Sequence, residues 1–196
     1  MALIQLIILF TVILDPLASF GVFFSAVEGM SRKDKRRIAN LAVFVAAALS
    51  FSVLLLGERL LSLFSTSIDE FRIAGGIVLA VLGLNMSLGR APADVEKIRG
   101  NSAKAIAAII GTPMLTGPAT ITAIIVSVND YGVALTGAAI TIVLFGTALL
   151  FHQADKIKNF VGDTFIRVVS TILGMVTLAW GIRLIAAGIK VIFFIT

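Results

Sequence analysis

The sequence predicts an all-α membrane protein: six transmembrane helices in two inverted-topology three-helix repeats, with helices 1 and 4 broken at mid-span. Composition is the first reason. The 196 residues are 59% hydrophobic and 14% charged, whereas a soluble domain of this length has roughly 45–50% apolar and about 25% charged residues. A surface this apolar needs lipid as its solvent. The second reason is that the apolar residues fall into six stretches, each near the roughly 20 residues that one span requires. The third is that the first and fourth stretches each carry a proline motif at mid-depth, as two copies of one plan would.

The first stretch runs from Leu3 to Val27. Met1 to Phe10 contains no Lys or Arg, and the apolar run continues past Asp15-Pro16. It is therefore read as a retained first helix and not as a secretory signal, which would open with a positive region. The second stretch runs from Ile38 to Leu56 and the third from Phe71 to Leu88. Ser65, Thr66, Ser67 and Asp69 offer caps for the third helix. The fourth runs from Ala103 to Val128, the fifth from Val133 to Phe151, and the sixth from Phe165 to about Phe194. The sixth is long for one span and is expected to tilt, kink or run on along the interface. The whole chain, 1–196, reads as a single transmembrane domain. Residues 1–88 form the first repeat, 103–196 the second, and 89–102 a cytoplasmic linker.

Basic residues orient the helices, because cytoplasmic loops carry the excess of Lys and Arg. Arg32, Lys33, Lys35, Arg36 and Arg37 lie in the first basic loop (28–37), Arg90, Lys97, Arg99 and Lys104 in the second (89–104), and Lys156, Lys158 and Arg167 in the third (152–167). Only Arg59, Arg72, Arg183 and Lys190 fall on the other side. The expectation is a multi-pass protein of the cytoplasmic (inner) membrane with the three loops in the cytoplasm and both termini outside. The basic composition thus reports topology and lipid-headgroup contact, and no nucleic-acid partner is expected.

Repetition is visible in the motifs. Leu14-Asp15-Pro16-Leu17-Ala18-Ser19-Phe20 in the first stretch is answered by Thr116-Gly117-Pro118-Ala119-Thr120-Ile121 in the fourth. Phe71-Arg72-Ile73-Ala74-Gly75-Gly76 opens the third as Ile166-Arg167-Val168-Val169-Ser170-Thr171 opens the sixth. Three helices per copy is an odd number, so the second copy enters from the opposite face, a plan common in secondary transporters. Chance likeness of greasy helices is the alternative.

Asp15-Pro16 is the sharpest chemical signal. A carboxylate within a span must face protein or water. Proline breaks the helix before it and suits the first turn of a new one, with Asp15 as the cap. A purely structural cap at a kink would look the same. In Gly111-Thr112-Pro113-Met114-Leu115-Thr116-Gly117-Pro118, two prolines and two glycines within eight residues cannot continue a regular helix. Irregular backbone survives in a membrane only where protein or a wet cavity satisfies it. Thr112, Thr116, Thr120 and Thr122 add hydroxyls, which a simple kink would bond back to its own helix. Paired breaks offer two positive helix ends near mid-bilayer, suited to a small anion or the carboxylate of a zwitterion. Asp15 would answer the ammonium end or carry a coupling proton. The expected substrate-binding residues are Asp15, Pro16, Leu17, Ala18, Ser19, Thr112, Thr116, Gly117, Pro118, Ala119 and Thr120, with Asn85, Asn40 and Thr122 outside this first set. Asn40 and Asn85 read rather as interhelical hydrogen-bond groups, and Gly75, Gly76, Gly83, Gly137 and Gly146 as close-packing positions. Arg183 is read as snorkelling outward and Trp180 as a packing or interfacial anchor.

These residues resemble the MarC family of multiple-antibiotic-resistance-related membrane proteins, which includes archaeal neutral amino-acid transporters. The carriers are Leu14 to Phe20 and the GTP…GPATI pattern from Gly111 to Ile121, and the likeness covers essentially the whole chain. In the family the Asn/Asp-Pro pair has a glycine nearby; here Gly21 follows later. The resemblance implies a six-helix inner-membrane protein that moves small neutral amino acids such as glycine or alanine. The sequence itself shows no Gly-rich Lys loop for ATP, so active transport is expected to draw on an ion gradient, with H⁺ or Na⁺ as the coupling ion. A homo-oligomer is left open, and membrane lipids are the remaining partners.

Other classes fit less well. A membrane enzyme would need a nucleophile with a base, or metal ligands, within the spans. The chain has no cysteine and one histidine, His152, at a helix end, so no enzyme activity, metal site or cofactor is expected. A non-transporting or channel-like membrane protein is the alternative; a channel would show a filter or charge ring, and none is evident in the sequence.

Overall fold

The protein is described by a computed structural model covering residues 1–27, 29–89 and 102–194. Glu28 and most of the linker, with Arg90, Lys97 and Arg99, lie outside the described residues. The described residues are built from helices in the order α1 (Ala2–Leu14), α2 (Pro16–Ala26), α3 (Arg32–Leu63), α4 (Ile68–Ser87), α5 (Ala103–Ile109), a π-helical turn (Ile110–Leu115), α6 (Pro118–Tyr131), α7 (Val133–His152) and α8 (Ala154–Phe194). Five stretches are long and apolar enough to cross a membrane: Ala2–Phe24, Arg32–Leu63, Ile68–Ser87, Val133–His152 and Val168–Phe193. The fourth apolar stretch is divided among α5, the π turn and α6, none of which is long enough to span by itself.

Helix ends are set by local chemistry. The second apolar stretch proves to be the middle of a longer helix. Ser31 caps α3 by accepting from the Asp34 N–H (3.2 Å), which carries the basic run into its first turns. At its far end the helix continues past Gly57 to Leu63, where the sequence suggests a polar break. Of the four candidate caps around the start of α4, Ser67 is the one used. It accepts from the Glu70 N–H (3.2 Å) while Glu70 accepts from the Ser67 N–H (2.8 Å), a reciprocal capping box. The third basic loop, 152–167, is instead helical from Ala154 onward, continuous with the sixth apolar stretch.

The core gathers the two broken segments. Leu6, Phe10, Ile13 and Leu14 of α1 are buried with Phe20 and Phe23 of α2, against Ile106, Leu115 and Ile124 of the α5–α6 segment. Phe23 stacks on Phe151 of α7 at 4.6 Å between centroids. Segment α1–α2 packs against α7 and α8, and segment α5–α6 against α3 and α4; α3 also meets α7, and α4 lies along α8.

Glycine decides how closely α4 and α8 approach. A Cβ on Gly76 would fall 2.7 Å from the Gly181 carbonyl oxygen, and one on Gly181 would fall 2.6 Å from that of Gly76. Gly83 and Gly174 oppose each other in the same reciprocal way, at 2.6 and 2.9 Å. Gly188 meets the Asp69 carbonyl at 2.6 Å. Glycines seven residues apart keep one face of each helix against its neighbour over several turns, and the bare backbones gain dispersion contact that lipid would otherwise supply. Gly75 is equally committed, to Thr122 of α6. Gly137 is less so, 3.2 Å from a Leu54 methyl, and Gly146 has nothing within 4 Å. Gly146 is therefore not a packing glycine, contrary to the reading of the sequence, because among the described residues nothing packs on its exposed face of α7.

Candidate functional site

The first break falls where the chain chemistry demands it. Pro16 supplies no N–H and sets the first turn of α2. Asp15 ends α1 in a left-handed conformation (φ 38, ψ 67), a region that Asp and Asn enter far more readily than other non-glycine residues. Its Oδ1 accepts from the Ala18 N–H at 3.1 Å, and its carbonyl accepts from the Ser19 N–H at 3.1 Å. The other carboxylate oxygen, Oδ2, is buried and has no hydrogen-bond partner among the described residues. The residue is only 7% exposed. One oxygen of Asp15 is thus committed to capping and the other is not.

The second break is broader. Thr112 leaves the helical region (φ −146, ψ 117) within the π turn, and the Thr116 N–H donates to the Gly111 carbonyl at 3.1 Å. Gly117 is extended and precedes Pro118 at the start of α6, with no side chain capping that end. Helix geometry leaves the N–H groups of Ala119 and Thr120 without intrahelical acceptors, so this helix end keeps its positive character.

Both breaks line one cavity of about 220 Å³. Of the residues expected to bind substrate, Asp15, Ala18, Ser19, Gly117, Pro118, Ala119 and Thr120 line it. Pro16 and Leu17 do not: they stand in the first turn of α2 behind its cap. Thr112 is exposed, and Thr116 is buried with its hydroxyl donating to the Ala46 carbonyl of α3 at 3.3 Å. Thr122 donates to the Pro118 carbonyl (3.0 Å) and packs on Gly75. Asn40 is exposed and Asn85 half-buried, and neither lines the cavity. The wall is completed by Ile13, Met114 and a face of α4 made of Val78, Leu82 and Met86. Sequence reasoning missed these apolar residues, since nothing local separates a cavity-facing valine from a lipid-facing one. The spacing of four from Val78 to Leu82 to Met86 was the one available signal.

Thr120 joins the two sides of the second break. Its hydroxyl donates to the Leu115 carbonyl at 3.0 Å, and the side chain is 2% exposed. Replacing it with isosteric valine leaves that carbonyl with one bond fewer and is expected to lower stability by about 1–2 kcal/mol. Thr120→Ser should recover most of the loss, and thermal unfolding of the detergent-solubilised protein measures both. Among the described residues no group of three or more His, Cys, Asp or Glu is placed to hold a metal ion.

Comparison with known proteins agrees along the whole chain. Residues 1–193 match the model of the MarC family integral membrane proteins. The UPF0056 membrane protein MJ1677 of Methanocaldococcus jannaschii is 31% identical over 186 residues, covering 91% of both chains. The UPF0056 membrane protein YhcE of Escherichia coli is 32% identical over 193 residues, covering 92% of this chain and 88% of the relative. The UPF0056 membrane protein YvbG of Bacillus subtilis is 24% identical over 192 residues, covering 91% and 90%. These names state a membrane protein and no substrate. No solved structure matches.

Proposed function

The chain belongs to the MarC family of integral membrane proteins, and on that footing we propose that it is a secondary transporter of small neutral amino acids, glycine or alanine, driven by an ion gradient. One observation carries the reading. Two helix breaks far apart in the sequence meet at one small cavity, which presents an uncapped helix N-terminus and an uncommitted carboxylate oxygen. The N–H groups of Ala119 and Thr120 suit a substrate carboxylate, and Asp15 Oδ2 suits its ammonium group. A zwitterion offers both charges, and neither a simple anion nor a simple cation does. At about 220 Å³ the space is below the roughly 300–1,000 Å³ of pockets for drug-sized ligands, which favours the smallest amino acids.

The inverted repeat belongs to the same proposal. The fourth segment, α5 to α6, would make the sixth crossing, interrupted as in other transporters whose broken helices surround a midplane site. Reciprocal contacts support a pseudo-two-fold axis: Gly76 on Gly181 is matched by Gly83 on Gly174. Each broken segment also packs on the second and third helices of the other half. With basic loops inward, both termini face outside the cytoplasmic membrane.

The test is uptake of labelled glycine and alanine into proteoliposomes under imposed proton or sodium gradients. Saturable uptake that follows one of the two gradients is expected. Absence of uptake or exchange of any small amino acid overturns the proposal and leaves the non-transporting or channel-like alternative, which ion conductance in the same vesicles would reveal.

A further inference from the structure

A second cavity, of about 200 Å³, is stacked on the first. Ile13, 3% exposed, lines both. The same helices build both walls in successive turns. On α6, Thr120 lines the first cavity and Ala123 the second; on α4, Leu82 lines the first and Leu79 the second. The second cavity lies toward the start of α4 and the end of α6, where Arg72, Asp130 and, from α8, Arg183 reach it.

Its charges are unevenly matched. Arg72 pairs with Asp69 at 2.7 Å and with Asp130, and donates to Asn129 at 3.3 Å. Its charge is therefore answered, and it ties α4 to the end of α6. Arg183 has no such carboxylate. Its guanidinium lies 5.1 Å from the centre of the Trp180 ring, and among the described residues it makes no ion pair. A cation–π contact with an aromatic ring leaves the guanidinium N–H donors free for a carboxylate. We propose that this second cavity is a loading station, where Arg183 takes the carboxylate of an amino acid before the molecule passes Ile13 to reach Asp15. The inference rests on the transport reading for what happens after loading. Binding at Arg183 stands on its own geometry.

Trp180 is the one tryptophan of the sequence, so the intrinsic fluorescence of the full chain in lipid nanodiscs reports this cavity directly. Glycine and acetate are each expected to shift it saturably, and methylamine is not. Arg183→Gln should raise the half-saturating concentration about ten-fold or more, and Arg183→Lys by less, since a single ammonium keeps the charge and loses the two-pronged geometry. Asp15→Asn should leave the acetate response in place. Because the chain has no cysteine, Ala187→Cys gives a second readout from the same cavity wall. Its labelling by a water-soluble maleimide should slow about five-fold in saturating glycine, an occupancy effect, and this protection should vanish when Arg183→Gln is added. In proteoliposomes Arg183→Gln should raise the KM for glycine and leave the maximal rate within about two-fold, the mark of lost binding ahead of the chemical or translocation step. If neither readout responds to glycine or acetate, or if Arg183→Gln responds like wild type, the loading station is overturned. Unchanged KM in Arg183→Gln, with wild-type uptake intact, overturns it too and leaves the transport proposal standing. A response through Arg183 with no uptake of any amino acid upholds the carboxylate site and sinks the transport proposal.

Discussion

Asp15→Asn is expected to cut amino-acid uptake by about 30-fold or more while leaving the fold intact. The magnitude follows from truncating one side of a buried charge pair, about 2 kcal/mol at the least, with 1.4 kcal/mol per factor of ten. The expectation is specific because the residue does two separable things. Its Oδ1 caps α2 through the Ala18 N–H, and its backbone sits at φ 38. Asparagine keeps an oxygen for the cap and tolerates the left-handed region, so unfolding of Asp15→Asn should differ from wild type by less than about 0.5 kcal/mol. Alanine keeps neither property. It should lose transport and also about 2 kcal/mol of stability, combining a lost cap with left-handed strain. Full uptake and unchanged gradient dependence in Asp15→Asn would reduce Asp15 to a helix cap, and the transport site would have to lie elsewhere.

The largest structural effect is expected at Gly83. A Cβ there would run into the Leu178 backbone nitrogen and lie 2.6 Å from the Gly174 carbonyl oxygen. Both are backbone atoms of a long helix, and no side-chain rotation relieves the clash. Gly83→Ala should therefore cost about 3 kcal/mol, the upper end for overpacking, or prevent folding. Gly174→Ala should behave alike from the other side of the contact. Because Val78, Leu82 and Met86 reach the candidate site from α4, whatever folded Gly83→Ala protein survives should also transport poorly. Gly146→Ala is the control: its open surroundings predict no loss and a gain of up to about 0.5 kcal/mol from helix propensity. Unfolding in graded denaturant separates the cases. Equal stability of the Gly83 and Gly146 variants would mean that α4 and α8 do not approach as described.

Some of the candidate site was legible because it is made by local covalent constraints. Proline lacks an N–H and restricts the residue before it, so Asp15-Pro16 and Gly117-Pro118 had to interrupt any helix. The starts of α2 and α6 at those prolines follow the expectation. The threonines were legible only in part: Thr122 bonds back within its own helix as a kink would have it, and Thr116 and Thr120 do not. Thr116, Thr120 and Thr122 all find backbone carbonyls, on α3, across the π turn and on α6 itself. Which carbonyl lies within reach depends on a neighbour that the sequence does not name. Gly83 and Gly146 likewise look alike in a row of apolar residues, and only the presence of α8 beside one of them separates their roles. Trp180 and Arg183, read singly as an anchor and a snorkelling cation, prove to face each other across one turn of α8 beside Arg72 and Asp130.

The sequence by itself determined that this chain is a helical membrane protein, where its apolar stretches lie, and that the first and fourth of them break at Asp15-Pro16 and Gly117-Pro118. Those properties follow from transfer free energies and backbone sterics, which act residue by residue or over one turn. Tertiary structure alone decided that the two breaks share a cavity, that Oδ2 of Asp15 is left over after capping, and that α4 closes the wall. These depend on which helix faces meet. Apolar faces are interchangeable to lipid, so specific contacts select one arrangement, above all the packing of glycine against backbone repeated along α4 and α8.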